Sequence, residues 1–366
     1  MKLKVSTEIL KELVTRAAKG MGNEKNIPVT SLMALRFENN KLTLITTDAT
    51  NFLYVSAAVN SADDFNVVVN GEQFSKLISK MTCEKVELEI TTNFLQVKGN
   101  GVYQLELPLD VDGEFVKYPD PMAEIILDEN DRNEVNLSAI KTILDSCKSS
   151  LAITMENPCY TGYYAGDKVV TTNNYTMSAL DANLFGKDVL VSPDYMNLLG
   201  LMTEEKFSAY ILDNKIICTS PDCVVYGTWM VDDIGDFPID GIKDYVAQDM
   251  ENKCTINKSE LLSVLDRIAL FVSPYDDSAI RLTFSDGGLN VESKQSNGIE
   301  TIAYTSDTEA KPFTGMMDIK EFTNLIKSYP DGDVKFQYGD EKALKLTAGN
   351  LAFVIAWIVD EESEEK

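Results

Sequence analysis

The stretch Val5-Ser6-Thr7-Glu8-Ile9-Leu10-Lys11-Glu12-Leu13-Val14 decides the fold of this chain. An apolar residue precedes Ser6, whose side chain can accept a hydrogen bond from the free N–H groups of a first helical turn. Apolar side chains follow at four, seven and eight positions beyond Ser6, which puts them on one face of a helix. The stretch therefore predicts the end of a strand, a helix N-cap and one buried helical stripe.

The same pattern occurs five more times along the chain. Each copy has an apolar residue, then Ser, Asn or Asp, then apolar residues at helical spacing. The predicted caps are separated by 64, 66, 56, 65 and 61 residues, and they are Ser6, Asn70, Asn136, Ser192, Asn257 and Asp318. The pattern predicts helices over residues 6–19, 70–81, 136–148, 192–202, 257–268 and 318–329. Repetition at a near-constant period indicates a fold built from copies of one small unit.

Strand patterns lie between the predicted helices. Val86, Leu88 and Ile90 alternate with glutamates, which is the period of a half-buried strand. Segments of the same kind start at Phe207 and Val334, again 15 or 16 residues past their caps. Each is followed by a turn signal and a second strand, so the repeating unit is one helix plus strands.

Longer echoes indicate where domains end. The sequence Gly-Glu-Phe at 113–115 returns 122 residues later as Gly-Asp-Phe at 235–237. Residues 110–121 and 232–253 are rich in Asp, Gly and Pro, which is typical of linkers. We therefore expect an α+β protein of three similar domains, each made of two half-units. The boundaries are 1–125, 126–250 and 251–366, and the third domain ends in a short acidic tail.

Composition excludes several classes of protein. The longest apolar run, residues 351–359, has nine residues and is too short to span a bilayer. The N-terminus leads directly into patterned sequence, without the apolar segment of a signal peptide. The six cysteines lack metal-ligand spacing and there is no histidine, so we expect reduced thiols in a cytoplasmic protein with no zinc site and no cofactor.

The distribution of charge is uneven. The chain has a net charge of −25, which by itself argues against binding to nucleic acid. The six predicted helices hold 11 basic and 9 acidic residues, however, whereas the remaining 292 residues hold 22 and 49. Lysine on a solvated helix face is commonplace, and the helix that starts at Ser192 has no basic residue. A closed ring with helices inside and sheets outside explains the collective excess, because DNA would pass a weakly basic lining.

In order and spacing, several short motifs resemble the bacterial replicative sliding clamps, the beta subunits of DNA polymerase III. The resemblance covers the whole chain and is carried by residues 1–5 (MKLKV), 26–29 (NIPV), 46–48 (TTD), 113–115 (GEF) and 235–238 (GDFP). It implies the DNA-clamp fold and a head-to-tail homodimer that encircles duplex DNA. The implied partners are a clamp loader, the replicative polymerase and other proteins that carry a clamp-binding peptide.

The resemblance also implies three groups of functional residues. The partner-peptide pocket comprises Tyr160, Thr172, Asn174, Tyr175, Thr176, Met177, Pro238, Leu344, Val354, Ala356 and Ile358. The DNA channel comprises Lys11, Arg16, Lys19, Lys25, Lys76, Lys80, Lys141, Lys148, Arg267, Lys320 and Lys327. The dimer interface pairs Tyr103 and Leu105 with Phe271 and Val272 of the other copy. Where the family has Thr-Asp-Gly-His-Arg-Leu, this chain has Thr-Asn-Asn-Tyr-Thr-Met at 172–177, so its peptide preference is expected to differ.

Two other classes of function compete with this interpretation. An enzyme is disfavoured because the chain has no histidine, Gly-rich phosphate loop or nucleophile elbow. A repeat-built, β-rich scaffold or interaction protein that does not bind DNA accounts for the repeat, but it gives no reason to concentrate lysine on the helices. The expected function is therefore that of a non-catalytic processivity factor.

Overall fold

The computed structural model describes residues 1–22, 27–59, 64–273, 278–295, 297–306 and 311–358. The chain divides into two compact units. The first unit comprises Met1–Ile140 with Pro193–Trp229, and the second comprises Lys141–Ser192 with Met230–Lys366.

Seven α-helices are present in the described ranges. They are α1 (Thr7–Ala17), α2 (Gly71–Ser79), α3 (Leu137–Ser146), α4 (Pro193–Leu199), α5 (Ile239–Ala247), α6 (Lys258–Ile268) and α7 (Ile319–Ser328). Six of them begin at the residue after a predicted cap, so the helical repeat is confirmed.

Side-chain capping accounts for several of these starts. The side chains of Asn70, Asn257 and Asp318 accept hydrogen bonds from N–H groups of the first turns of α2, α6 and α7, as the pattern predicts. The side chain of Ser6 makes no such bond to α1.

The strands follow the predicted helix-plus-strands order. They are β1 (Lys2–Ser6), β2 (Leu32–Glu38), β3 (Lys41–Thr47), β4 (Phe52–Ala58), β5 (Phe65–Asn70), β6 (Lys85–Ile90), β7 (Phe94–Lys98), β8 (Val102–Glu106), β9 (Asn133–Asn136), β10 (Tyr163–Ala165), β11 (Val169–Thr172), β12 (Thr176–Leu180), β13 (Val189–Val191), β14 (Lys206–Leu212), β15 (Lys215–Thr219), β16 (Cys223–Thr228), β17 (Asn252–Asn257), β18 (Ala279–Ser285), β19 (Gly288–Ser293), β20 (Ile299–Ile302), β21 (Phe313–Asp318), β22 (Asp333–Tyr338), β23 (Ala343–Ala348) and β24 (Leu351–Ala356). The strands predicted from Val86, Phe207 and Val334 are confirmed as β6, β14 and β22.

The first unit contains a four-stranded sheet in the order β1-β6-β7-β8 and an eight-stranded sheet in the order β5-β2-β3-β4-β16-β15-β14-β9. An irregular segment packs on the larger sheet through Val116, Tyr118 and other apolar side chains up to residue 127. Asp120 anchors this segment, because its carboxylate accepts hydrogen bonds from Arg36 at 2.6 Å and Tyr54 at 2.8 Å. The predicted linker is thus fixed to the surface of the sheet.

The second unit repeats this arrangement with different connections. Its eight-stranded sheet has the order β13-β10-β11-β12-β24-β23-β22-β17, and its four-stranded sheet has the order β20-β19-β18-β21. Phe237 and Ile242 pack on the larger sheet, where the ring of Phe237 stacks on Tyr164 at a centroid distance of 5.1 Å. Phe237 is therefore buried, whereas its sequence echo Phe115 is 45% exposed.

One sequence interpretation is wrong. Residues 232–253 were expected to form a linker, but they contain α5 and the first residues of β17. The Asp and Gly content concealed a helical stripe formed by Ile239, Ile242 and Val246, which pack on the same cluster as Phe237. Pro238 immediately before the helix is the start signal that could have found it.

Candidate functional site

A small pocket in the second unit brings together seven of the eleven residues predicted to bind a partner peptide. The pocket has a volume of about 170 Å³, and its lining residues are Thr172, Asn174, Tyr175, Thr176, Met177, Tyr245, Ala343, Val354 and Ala356. None of these side chains carries a charge. The pocket is therefore suited to an apolar side chain of a binding partner.

Strand register places the floor of the pocket on one face of the sheet. Thr172 pairs with Met177 across β11 and β12, and Met177 pairs with Val354 across β12 and β24. Ala356 pairs with Ala343 across β24 and β23. Directly paired residues of antiparallel strands point to the same side, so these side chains form one continuous surface.

The turn between β11 and β12 forms one rim of the pocket. The Asn173 side chain accepts hydrogen bonds from the backbone N–H groups of Tyr175 and Thr176, at 3.0 and 2.7 Å. Asn174 has a φ of 75°, a left-handed conformation that asparagine adopts more readily than most residues. These features hold Tyr175 at the rim with 70% of its surface exposed.

Tyr245 on α5 also lines the pocket. Its hydroxyl oxygen is buried, and the Asp340 carboxylate interacts with it. Burial and the Asp340 carboxylate raise the pKa of Tyr245 to about 12, so the hydroxyl stays protonated at neutral pH.

The other predicted pocket residues lie elsewhere in the second unit. Tyr160 packs edge-on against Phe237, and Pro238 is the residue before α5. Leu344 is fully buried, and the Ile358 N–H donates a hydrogen bond to the Met316 carbonyl at 2.7 Å. Tyr245 and Ala343 also line the pocket, although the sequence pattern did not point to either residue. Tyr245 was missed because α5 was interpreted as a linker.

A basic groove lies between α1 and α2 in the first unit. Lys11, Lys19 and Lys76 line it together with uncharged side chains of both helices, and its volume is about 370 Å³. Serine and threonine hydroxyls share the lining, and the hydroxyl of Ser75 is buried without a hydrogen-bond partner in the described residues. Ammonium and hydroxyl donors are the groups that contact phosphate oxygens in proteins.

The remaining residues of the predicted channel are of two kinds, exposed lysines and arginines paired with carboxylates. The exposed lysines are Lys80, Lys141, Lys148, Lys320 and Lys327. Arg267 forms two hydrogen bonds with the Glu300 carboxylate, at 2.8 and 2.6 Å. Arg16 is largely buried and donates to the Asp222 carboxylate. Lys25 lies outside the described residues, as does the acidic tail.

Two sheet edges carry the residues predicted for the dimer interface or lie beside them. β8 and β20 are terminal strands of their four-stranded sheets, with Val102 63%, Tyr103 39% and Ile299 60% exposed. Phe271 is half exposed and lies close to the start of β20, because a Cβ atom on Gly298 would lie 3.0 Å from its ring. Leu105 is buried in its own unit, so only its backbone is open to a partner.

Three solved structures are similar to this chain over almost its whole length. They are the DNA polymerase III beta chain of Streptococcus pneumoniae (14% identity, TM-score 0.83), the beta subunit of Thermotoga maritima (13%, 0.82) and the sliding clamp of Bacillus subtilis (14%, 0.82). Each match covers 98% of this chain and 100%, 99% and 99% of the respective relative. At such identities the likeness establishes the fold, and the chain has the α+β fold of the DNA sliding clamps.

Comparison of the sequence with protein families gives a match in the first part of the chain. Residues 1–119 match the family described as DNA polymerase III beta subunit, N-terminal domain. This match covers the first third of the chain, whereas the likeness of fold extends over almost all of it. No curated protein matches the sequence.

In the part of the chain that the structure describes, no helix has the length and apolar character needed to cross a membrane. The same residues contain no group of three or more side chains arranged to hold a metal ion.

Proposed function

We propose that two copies of this chain close head to tail into a ring around duplex DNA and tether a replicative polymerase to it. The observation that carries this proposal is the full-length clamp fold, together with the excess of basic residues on the helices of an acidic protein. The function needs no catalytic group, since the ring acts by topology. A clamp of this kind works on the chromosome, so we place it in the cytoplasm.

The repeat supports three functional domains, 1–125, 126–250 and 251–366. The last two contain an equivalent contact at the same point of the repeat. The indole N–H of Trp229 donates to the Asp213 carbonyl at 2.9 Å, and that of Trp357 donates to the Asp340 carbonyl at 3.0 Å. Three such domains in each of two copies give the six-domain ring that the family implies.

The edges of the four-stranded sheets support the dimer. A terminal strand leaves N–H and C=O groups open to another chain, and exposed apolar side chains accompany those groups on β8 and β20. We propose that β8 of one copy lies beside β20 and Phe271 of the other. Because the two edges differ, the contact is head to tail, and we propose that the rotation between copies closes it into a ring of two rather than an open filament.

The pocket supports the binding of partner peptides from the polymerase, the clamp loader and other proteins. An extended peptide can insert one apolar anchor between Met177, Val354 and Tyr245, while the rest of the segment stays flexible. The lining lacks the His-Arg pair usual in the family, so we expect anchoring by apolar contact rather than by charge.

A covalently closed ring tests the proposal directly. Tyr103→Cys and Phe271→Cys in a Cys83→Ser background place one new thiol on each proposed edge. The protein is incubated with nicked circular DNA and crosslinked with a flexible bis-maleimide. We expect the crosslinked protein to stay on the circle in high salt and to be released when the circle is cut.

The two variants that carry only one of the new cysteines serve as controls, because neither can close the ring. Retention that persists after the circle is linearised would show ordinary binding and refute encirclement. Crosslinking confined to a monomer, or to an open chain of copies, would refute the two-copy ring.

A further inference from the structure

A buried lysine lies next to the pocket. Lys345 on β23 is only 5% exposed, and its ammonium donates hydrogen bonds to the carbonyls of Val246 at 2.5 Å and Gln248 at 2.7 Å. Lysine is rarely buried unless its charge is satisfied, since an unpaired ammonium is costly to remove from water. Burial accordingly lowers the pKa of Lys345. This lysine therefore requires a structural or functional explanation.

The register of the sheet places Lys345 in the same row as the pocket floor. Thr172, Met177 and Val354 are paired in succession across three strands, and Val354 pairs with Lys345 on the fourth. Ala343, which also lines the pocket, is two residues from Lys345 and points to the same face. The floor of the pocket and the buried ammonium are thus adjacent positions on one surface.

The carbonyls that Lys345 binds belong to the end of α5. Val246 is in the last turn of the helix and Gln248 is its C-cap residue. The last carbonyls of a helix have no partner within the helix and carry partial negative charge. A lysine that reaches them from the sheet satisfies these groups and fixes the end of the helix against the sheet.

The segment that follows α5 has separate attachments. The Gln337 side chain accepts a hydrogen bond from the Met250 N–H at 3.3 Å, and the Lys253 ammonium lies 2.7 Å from the Asp249 carboxylate. Gln337 and Lys253 continue the same row across β22 and β17. Among the described residues of this row, Lys345 is the one whose side chain hydrogen-bonds to the last turn of the helix that carries Tyr245.

We propose that Lys345 is a positioning residue that holds α5, and with it Tyr245, in place as one wall of the partner-peptide pocket. The inference rests on the proposed function of the pocket for its consequence in binding, but the positioning itself does not depend on any ligand. An apolar residue at 345 could fill the space, but it would leave both carbonyls without a donor and free the end of the helix.

Hydrogen exchange tests the positioning without a ligand. In Lys345→Met, which keeps a long unbranched side chain but has no donor, we expect amides of residues 239–248 to exchange about ten-fold faster than in the parent protein. Lys253→Met is the matched control, because it removes a lysine from the same row that does not touch the helix. Unchanged exchange in Lys345→Met would overturn the proposal. If that variant fails to fold, Lys345→Gln, which keeps donors on a shorter side chain, is expected to show the same local increase.

A double-mutant cycle tests the consequence for binding. The probes are fluorescein-labelled pentapeptides with leucine or phenylalanine anchors, and we expect Lys345→Met to weaken their binding about ten-fold. In a Tyr245→Ala background the same substitution is expected to have almost no further effect, since the wall that it positions is already removed. Equal losses in both backgrounds would assign Lys345 a merely structural role. If the parent protein binds none of the probes, the proposed function of the pocket fails, whereas the exchange measurement still decides the positioning.

Discussion

Arg16 and Asp222 form an ion pair between α1 and the segment before β16, with 2.7 Å between Nη1 and Oδ2. The arginine side chain is 13% exposed, and it also donates to the Leu201 carbonyl at 3.1 Å. Ser220 and Thr203 donate further hydrogen bonds to the same carboxylate. Arg16 is one of the residues predicted to contact DNA, and its charge is already engaged by these bonds within the protein.

The ion pair predicts a stability that depends on pH. Burial acts to raise the pKa of Asp222, but Arg16 and the two hydroxyls outweigh it and hold the pKa below its usual value near 3.8. A carboxyl group with a depressed pKa stabilises the folded state above that usual value, and the contribution disappears as the pH falls through the folded-state pKa. We expect Asp222→Asn to lower the free energy of unfolding by about 2 kcal/mol at pH 7, with the difference shrinking below about pH 4.

Urea unfolding at a series of pH values measures this difference. Glu72→Gln is the matched control, because Glu72 pairs with Lys76 on an exposed helix face, where ion pairs contribute little. A difference between Asp222→Asn and the parent that is the same at pH 3 and pH 7 would contradict the linkage.

The basic groove predicts a distributed and salt-sensitive interaction with DNA. Lys76→Glu alone is expected to weaken binding to linear duplex only slightly, because several lysines share the interaction. The combination Lys11→Ala, Lys19→Ala and Lys76→Ala is expected to reduce the slope of log K against log salt by about 0.9 for each phosphate that the protein no longer neutralises. Fluorescence anisotropy over a range of salt concentrations measures the slope.

Arg16→Ala separates the two classes of basic residue. Because Arg16 is committed to Asp222, its removal is expected to lower stability and to leave the salt slope unchanged. A complete loss of DNA binding on the single change Lys76→Glu would be incompatible with a distributed interaction.

The pocket floor predicts the effect of a charge at Met177. Met177→Lys puts an ammonium on an apolar surface, so a peptide anchor would have to share the pocket with a charged group. We expect binding of the labelled pentapeptides to fall at least about ten-fold without any change in dimerisation. Met155→Lys, at a side chain that is 71% exposed, is the control for the added charge. Equal affinity for the Met177→Lys and parent proteins would remove Met177 from the site.

The sequence predicted the parts of the fold that depend on local pattern. Six helix starts follow from a cap and a stripe of apolar residues, both of which are encoded within about ten consecutive residues. The turns after β14 and β22 were also predictable, because they contain residues with positive φ, Asp213 at 47° and Gly339 at 113°. The α5 helix was missed because its stripe is short and the surrounding Asp and Gly residues resemble a linker.

The candidate site was only partly predictable, because it depends on pairing between distant strands. The turn at 172–177 is a compact motif and could be aligned with the family. Nothing in the sequence near Lys345 indicates that its side chain is buried. The burial depends on a row of paired residues on other strands, which includes Thr172, Met177 and Val354. Similarly, the sequence around Arg16 predicts an exposed cation on a helix. It gives no sign of the ion pair, because the partner Asp222 is 206 residues away.

Thiol chemistry gives a test of the packing. Burial raises the pKa of Cys147, Cys218, Cys223 and Cys254 to about 12, so these thiols remain protonated and inaccessible at pH 8. Cys159 is also buried, and only Cys83 is partly exposed. We expect maleimide to label one thiol per folded chain rapidly and all six after unfolding, as counted by mass spectrometry. Rapid labelling of two or more thiols in the folded protein would show that at least one of the five buried thiols is accessible.

The exposed edge of β20 predicts a position at which one added charge dissociates the proposed dimer. Ile299 is 60% exposed on a terminal strand, so Ile299→Asp leaves the fold of the monomer intact while placing a desolvated carboxylate in the proposed interface. We expect the dissociation constant of the dimer, measured by sedimentation equilibrium, to rise at least about 100-fold above that of the parent, as is typical when an unpaired charge is buried at an interface. Ile153→Asp, at a side chain that is 99% exposed in the same unit, makes the same chemical change outside both terminal strands and is expected to leave the dimer unchanged. If Ile299→Asp and Ile153→Asp dissociate alike, β20 is not the edge that joins the copies, whereas selective dissociation with Ile299→Asp locates the interface on that strand.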